Sequence, residues 1–146
     1  MRLTRHSDYS LRVLMFLALR PGKLATIHEI AEAFDISRAH LMKVVHALGK
    51  LGYVQTVRGR GGGLELARPA REIRLGRLLQ QTEEPVELVE CSSTGAHPDC
   101  KILPACKLRG VLAQALSAFF RSLDEYTLQD IVSGQTTQLR RLLLIA

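Results

Sequence analysis

Residues 26–66, TIHEIAEAFDISRAHLMKVVHALGKLGYVQTVRGRGGGLEL, decide the fold of this chain. Thr26 and Glu29 stand three apart and precede Ile27, Ile30, Ala31 and Phe34. This is a capping box followed by an apolar stripe at helical spacing, and it predicts a short helix over 26–34. Asp35-Ile36 leaves a very short connection to Ser37, a good N-cap. Leu41, Val44, Val45, Leu48 and Leu51 then recur on one side of a second helix, while Arg38, Met42, Lys43, His46 and Lys50 fall on the other. An apolar inner face with a basic outer face is the pattern of a recognition helix in a helix-turn-helix, although this turn lacks the glycine often found there.

The next residues strengthen that reading. Gly52 ends the helix, Tyr53 to Val57 is a β-rich run, residues 58–63 form an Arg-Gly-Arg-Gly-Gly-Gly turn, and Leu64-Glu65-Leu66 alternates back. That is a β-hairpin with two arginines near its tip. A hairpin directly after a recognition helix is the winged-helix arrangement, with the helix in the major groove and the wing on the backbone or the minor groove, where arginine suits both. A phosphate-cradling loop fails on spacing, because Leu64 occupies the last glycine position counted from Gly59 and no Gly-Lys-Ser or Gly-Lys-Thr follows. The candidate DNA-contacting residues are Ser37, Arg38, His40, Lys43, His46, Lys50, Arg58, Gly59, Arg60 and Gly61.

Charge placement agrees. The chain carries a net charge of +6, and residues 1–63, with ten basic and four acidic side chains, hold all of it, since residues 64–146 carry ten of each. No acid occurs between Ile36 and Leu64, so this segment would meet a polyanion, double-stranded DNA being the expected partner. With 146 residues and 47% hydrophobic composition the chain can bury one core, as a single domain or a domain with an arm. A helix is expected over Tyr9 to Leu19, stopped by Arg20-Pro21-Gly22. Its apolar run, Val13 to Leu19, is well short of the roughly 18 to 20 residues of a membrane span. Asp8 and Arg12 also interrupt any signal-peptide pattern, so a cytoplasmic protein with no membrane partner is expected. The five histidines are dispersed and no nucleophile motif is present, which argues against an enzyme.

Cys91, Cys100 and Cys106 lie together in a stretch that also holds Gly95, Pro98 and Pro104. An odd count argues against a disulfide framework. A thiol redox switch or a metal site remains open; Cys3His zinc would use His97 but lacks the usual close cysteine pairs, while iron–sulfur clusters accept more varied spacing. Further on, Leu108, Val111, Leu112, Ala115, Leu116, Phe119 and Leu123 form an apolar face on a helix over 107–124, and a second capping box, Thr127 with Asp130, opens another helix. So long a helix beside a small winged domain has little of its own chain to pack on, so a homodimer is expected.

Residues 1–4 (MRLT) with Asp8-Tyr9, the 58–64 wing, the Cys100 to Cys106 segment and Tyr126 to Asp130 together resemble the Rrf-type family of dimeric winged-helix transcription regulators, in its nitric-oxide-sensitive branch. The resemblance covers essentially the whole chain. It implies a mainly α fold with a small β-wing, partitioned into a winged helix-turn-helix DNA-binding domain (1–80), a cysteine-rich cluster-binding loop (81–106), and a dimerisation helix with a C-terminal helix (107–146). It implies an iron–sulfur cluster, 4Fe-4S or 2Fe-2S, one per subunit, ligated by Cys91, Cys100 and Cys106. A sister regulator uses a histidine three residues after its third cysteine, where this chain has Arg109; the nitric-oxide-sensitive branch implies Asp8 of the partner subunit as fourth ligand. Without the family, Asp8 is an acid favourable to a helix N-terminus. The eight residues between Cys91 and Cys100 exceed the family's usual spacing and include His97 and Asp99, either of which can replace Asp8. The implied activity is repression at a palindromic operator, released when nitric oxide breaks up the cluster.

Overall fold

The structure, a computed structural model, describes residues 2–83, 85–92 and 100–146. In chain order these form α1 (Arg5–Ala18), α2 (Ile27–Phe34), α3 (Arg38–Lys50), β1 (Val54–Val57), β2 (Gly63–Leu66), α4 (Leu75–Thr82), α5 (Leu108–Asp124), α6 (Leu128–Val132) and α7 (Thr136–Leu142), with single 3-10 turns at Ala70–Glu72, Glu90–Ser92 and Leu103–Ala105. No helix among the described residues is long and apolar enough to cross a membrane.

The expected local signals produce the expected elements. At the start of α2 both halves of the capping box form, with the Glu29 N–H donating to Thr26 Oγ1 at 3.2 Å and the Thr26 N–H donating to Glu29 Oε2 at 2.6 Å. Burial pushes the Glu29 carboxyl up, but the Thr26 N–H, the Arg20 guanidinium and the Thr26 hydroxyl outweigh it and hold the group below its ordinary value. Asp35 supplies the turn in place of a glycine, adopting φ 51°, a left-handed conformation that aspartate tolerates better than most residues. Ser37 caps α3 through the His40 N–H. At its far end the Tyr53 N–H reaches Leu48 O at 2.9 Å and the Gly52 N–H reaches Gly49 O at 3.1 Å, the paired bonds of a Schellman motif. β1 and β2 pair antiparallel, Val54 opposite Leu66 and Val57 opposite Gly63. Gly59 and Gly61 turn the tip with φ of 109° and 78°, which side chains rarely allow. Leu64 also exchanges two backbone bonds with Ala25, fixing the base of the wing to the entry of α2.

α1 starts a turn earlier than the apolar periodicity predicts, because Thr4 Oγ1 accepts the Ser7 N–H and caps it at 3.2 Å. Val13, Leu14 and Leu17 of α1 enter a core with Ile30, Leu41, Val44, Leu48, Tyr53, Val54 and Leu64. The fully buried Ser7 hydroxyl bonds the Thr82 hydroxyl at 2.8 Å, and Glu83 Oε1 accepts the Thr4 N–H at 2.8 Å, so the N-terminus of α1 is tied to the C-terminus of α4.

The second half of the chain returns to the first. Leu128 of α6 is fully buried in the same core, and the Arg140 guanidinium donates to Leu19 O at 2.8 Å. α4 and α5 cap each other: Asp124 Oδ1 accepts the Arg77 N–H at 2.8 Å, and the Arg74 guanidinium donates to Asp124 O at 3.2 Å. These bonds satisfy helix-end groups that neither helix can pair within itself. The two helices cross closely enough that a Cβ on Gly76 would collide with Phe120 O and stand 2.7 Å from Asp124 N. Gly76→Ala is therefore expected to cost about 1–3 kcal/mol by overpacking, seen as a lower urea midpoint with an unchanged slope.

Candidate DNA interface and cysteine pocket

Every sequence-derived candidate for DNA contact is exposed. Lys43, His46 and Lys50 of α3 line one open groove of about 700 Å³ with Met42, Ile27 and Thr56, so the groove runs between the recognition helix and the first strand of the wing. Arg58, Gly59, Arg60 and Gly61 form the exposed wing tip. The remaining candidates are engaged elsewhere. The Arg38 guanidinium sits 2.7 Å from His28 Nδ1 on α2, with His28 Nε2 in turn 3.2 Å from Glu32. The His40 ring lies 6.1 Å from the Tyr9 ring of α1, and Ser37 spends its hydroxyl on the cap of α3. The sequence reading placed Met42 on the basic face without assigning it a role, and it missed Tyr9 and His28 as neighbours of that face because both lie on other helices.

Cys91, Cys100 and Cys106 line a single pocket of about 420 Å³ together with Val89, Ile102, Leu108 and Arg109. All three are free thiols; Cys91 and Cys106 are half-buried and Cys100 is exposed. In this conformation no group of three or more His, Cys, Asp or Glu among the described residues stands close enough to hold a metal ion. The donor chemistry nevertheless fits an iron–sulfur cluster: three soft thiols line one pocket together with Val89, Ile102 and Leu108.

Asp8 does not line that pocket in its own chain. Both of its carboxylate oxygens are taken by Arg12 one turn along α1, at 3.0 Å and 3.1 Å. The Arg12 guanidinium in turn lies over the Tyr9 and Phe34 rings, 5.9 Å and 5.8 Å from their centroids. His97 and Asp99 lie outside the described residues. On α5, Leu108 and Val111 are 57% and 58% exposed, so part of the long apolar face is uncovered by this chain.

A helix-turn-helix with a basic outer face, an arginine-tipped wing and a companion cysteine pocket define a winged-helix transcriptional regulator. The family model of Rrf2, described as an iron-dependent transcriptional regulator, matches residues 3–134, and the chain belongs to that family. It is similar to the HTH-type transcriptional regulator NsrR of Bacillus subtilis, at 48% identity over 136 residues that cover 92% of each chain. Among solved structures, a Listeria innocua protein described as a transcriptional regulator superposes with a TM-score of 0.73 at 26% identity, covering 92% of this chain and 88% of that one. CymR, the global cysteine regulator of B. subtilis, shares the fold with a TM-score of 0.71 at 24% identity, covering 91% of this chain and 97% of its own. The family consists of regulators rather than enzymes.

Truncating a wing arginine isolates the electrostatic contribution of the tip. Arg60→Ala is expected to weaken DNA binding and to lower the slope of log affinity against log salt by about 1, as one lost phosphate contact would. A salt titration by fluorescence anisotropy checks this, with the thermal midpoint unchanged because the side chain is exposed.

Proposed function

We propose that the protein is a homodimeric repressor that binds a palindromic operator through α3 and the wing, and loses operator affinity when nitric oxide reaches iron held at the cysteine pocket. The observation that carries this reading is the convergence of Cys91, Cys100 and Cys106 on one apolar pocket at the foot of α5. The relatives named NsrR support it. In it, residues 1–80 form the DNA-binding domain, residues 81–106 the sensor loop, and the uncovered face of α5 the dimer contact. The two recognition helices then meet half-sites one helical turn, or a multiple, apart.

The three cysteines, with Asp8 of the partner subunit, would hold the group. When bound, an iron–sulfur cluster (4Fe-4S or 2Fe-2S), one per subunit, supplies iron open to nitric oxide, at a site where a carboxylate bonds iron less firmly than a thiolate. The chain's own side chains account for transmission. Engagement of Asp8 at the pocket would compete with its two-point pairing to Arg12 and so loosen the Arg12 guanidinium. Arg12 rests on Tyr9, and Tyr9 packs on His40 of α3, so a change at Asp8 is felt at the recognition helix through two ring contacts. The loop side reaches the same helix, because α4 leads into the sensor loop and is bonded to α1 through Thr82 and Glu83. A working switch needs the two states to differ in DNA affinity by about 1–3 kcal/mol, roughly 5- to 150-fold.

The test is anaerobic purification followed by absorption spectroscopy with iron and acid-labile sulfide analysis, before and after nitric oxide. A coloured protein containing iron and sulfide, whose visible bands collapse with the gas as operator binding falls, is the expected result. A colourless protein, zinc-loaded or metal-free under the same conditions, would leave the regulator and remove the sensing mechanism. Asp8→Ala is expected to keep the helical content and melting of the winged domain, since the side chain is 44% exposed and paired only along its own helix, while making bound iron labile. Unchanged iron retention would move the fourth ligand to His97 or Asp99.

A further inference from the structure

Among residues 2–83, Met42 at 59% and Val57 at 39% are the exposed large hydrophobic side chains. Met42 stands at the centre of the outward face of α3, flanked one turn away by Arg38 and His46, and it shares its groove with Lys43, Lys50 and Thr56. Its exposure has no packing purpose, since Leu41, Val44, Val45 and Leu48 supply the buried side of the helix. An apolar partner protein is disfavoured by the surrounding cations and by the absence of any acid from Ile36 to Leu64. That charge complements duplex DNA, whose phosphates the lysines can take, but a thioether is a poor partner for a phosphate or a polar base edge. The one apolar group that a base pair presents in the major groove is the C5 methyl of thymine. A flexible, polarisable methionine is suited to pack on it.

We propose that Met42 is a specificity-determining residue that packs on a thymine methyl in each half-site of the operator. This rests on the DNA-binding reading and deepens it by naming a base that the recognition helix selects. Lys43, His46 and Lys50 hold the helix on the backbone, and Met42 makes the choice among base pairs.

The test uses the full-length protein and duplexes enriched by it from a random-sequence pool, each made either with thymine or with deoxyuridine, which lacks only the methyl. The wild type is expected to bind the deoxyuridine duplex about fourfold more weakly per contacted methyl, the factor that burial of one such carbon carries. Met42→Ala is expected to bind both duplexes alike, and Met42→Leu to restore the preference. Equal binding of both duplexes by the wild type, or undiminished discrimination by Met42→Ala, would overturn the assignment while leaving DNA binding intact. Failure of the wild type to enrich or retain any duplex at low salt would overturn the DNA-binding reading itself, and this assignment with it.

Discussion

The burial of α1 is the constraint on which the other elements depend. Its Val13, Leu14, Leu17 and Ser7 are almost or wholly inaccessible, and it packs against α2, α3, β2, α4 and α6. A helix covered on so many sides must carry few charges inward and must satisfy any polar group that it buries. Ser10 does this by returning its hydroxyl to His6 O, and Ser7 by pairing with Thr82. The charged residues Asp8 and Arg12 stay at the rim and pair with each other. Because one element touches both the recognition helix and the helix that leads to the cysteines, a small displacement of α1 has no slack in which to dissipate.

Electrostatics divides the molecule in a complementary way. The outward face of α3 and the wing tip carry cations without acids, whereas residues beyond the wing are balanced in charge, and two of them, Arg74 and Asp124, cap the α4–α5 crossing. Lys43, Lys50, Arg58 and Arg60 of the first set are exposed and contribute little to folding, since exposed charges rarely do, whereas Arg38 is bonded to His28. The Arg74 and Asp124 bonds hold the C-terminal end of α5 against the start of α4.

The cysteine pocket sits where the chain enters α5, and the uncovered Leu108 and Val111 lie on that same end. A group bound there would lie beside the uncovered end of α5. The Asp8–Arg12 pair, the Arg12–Tyr9 stack and the Tyr9–His40 contact link the start of α1 to α3.

Much of the winged module was legible from residues 26–66 because its signals are local. A capping box needs residues three apart, a helix face needs a repeat within a few turns, and a hairpin needs its turn between its strands; Thr26, Ser37 and Thr127 all cap as their spacing predicts. The start of α1 was misplaced because Thr4 and Ser7 form a cap without the acidic residue that marks a capping box. α4 was missed altogether: its N-terminus has no side-chain cap of its own and is satisfied by Asp124, 47 residues away. The three cysteines are neighbours in sequence, but their spacing alone left a redox switch, zinc and iron–sulfur open. Their shared pocket with Leu108 and Arg109, the pairing of Asp8 with Arg12, and the contact of Tyr9 with His40 were decided by tertiary structure, because each joins elements whose relative placement depends on how the whole core packs around α1.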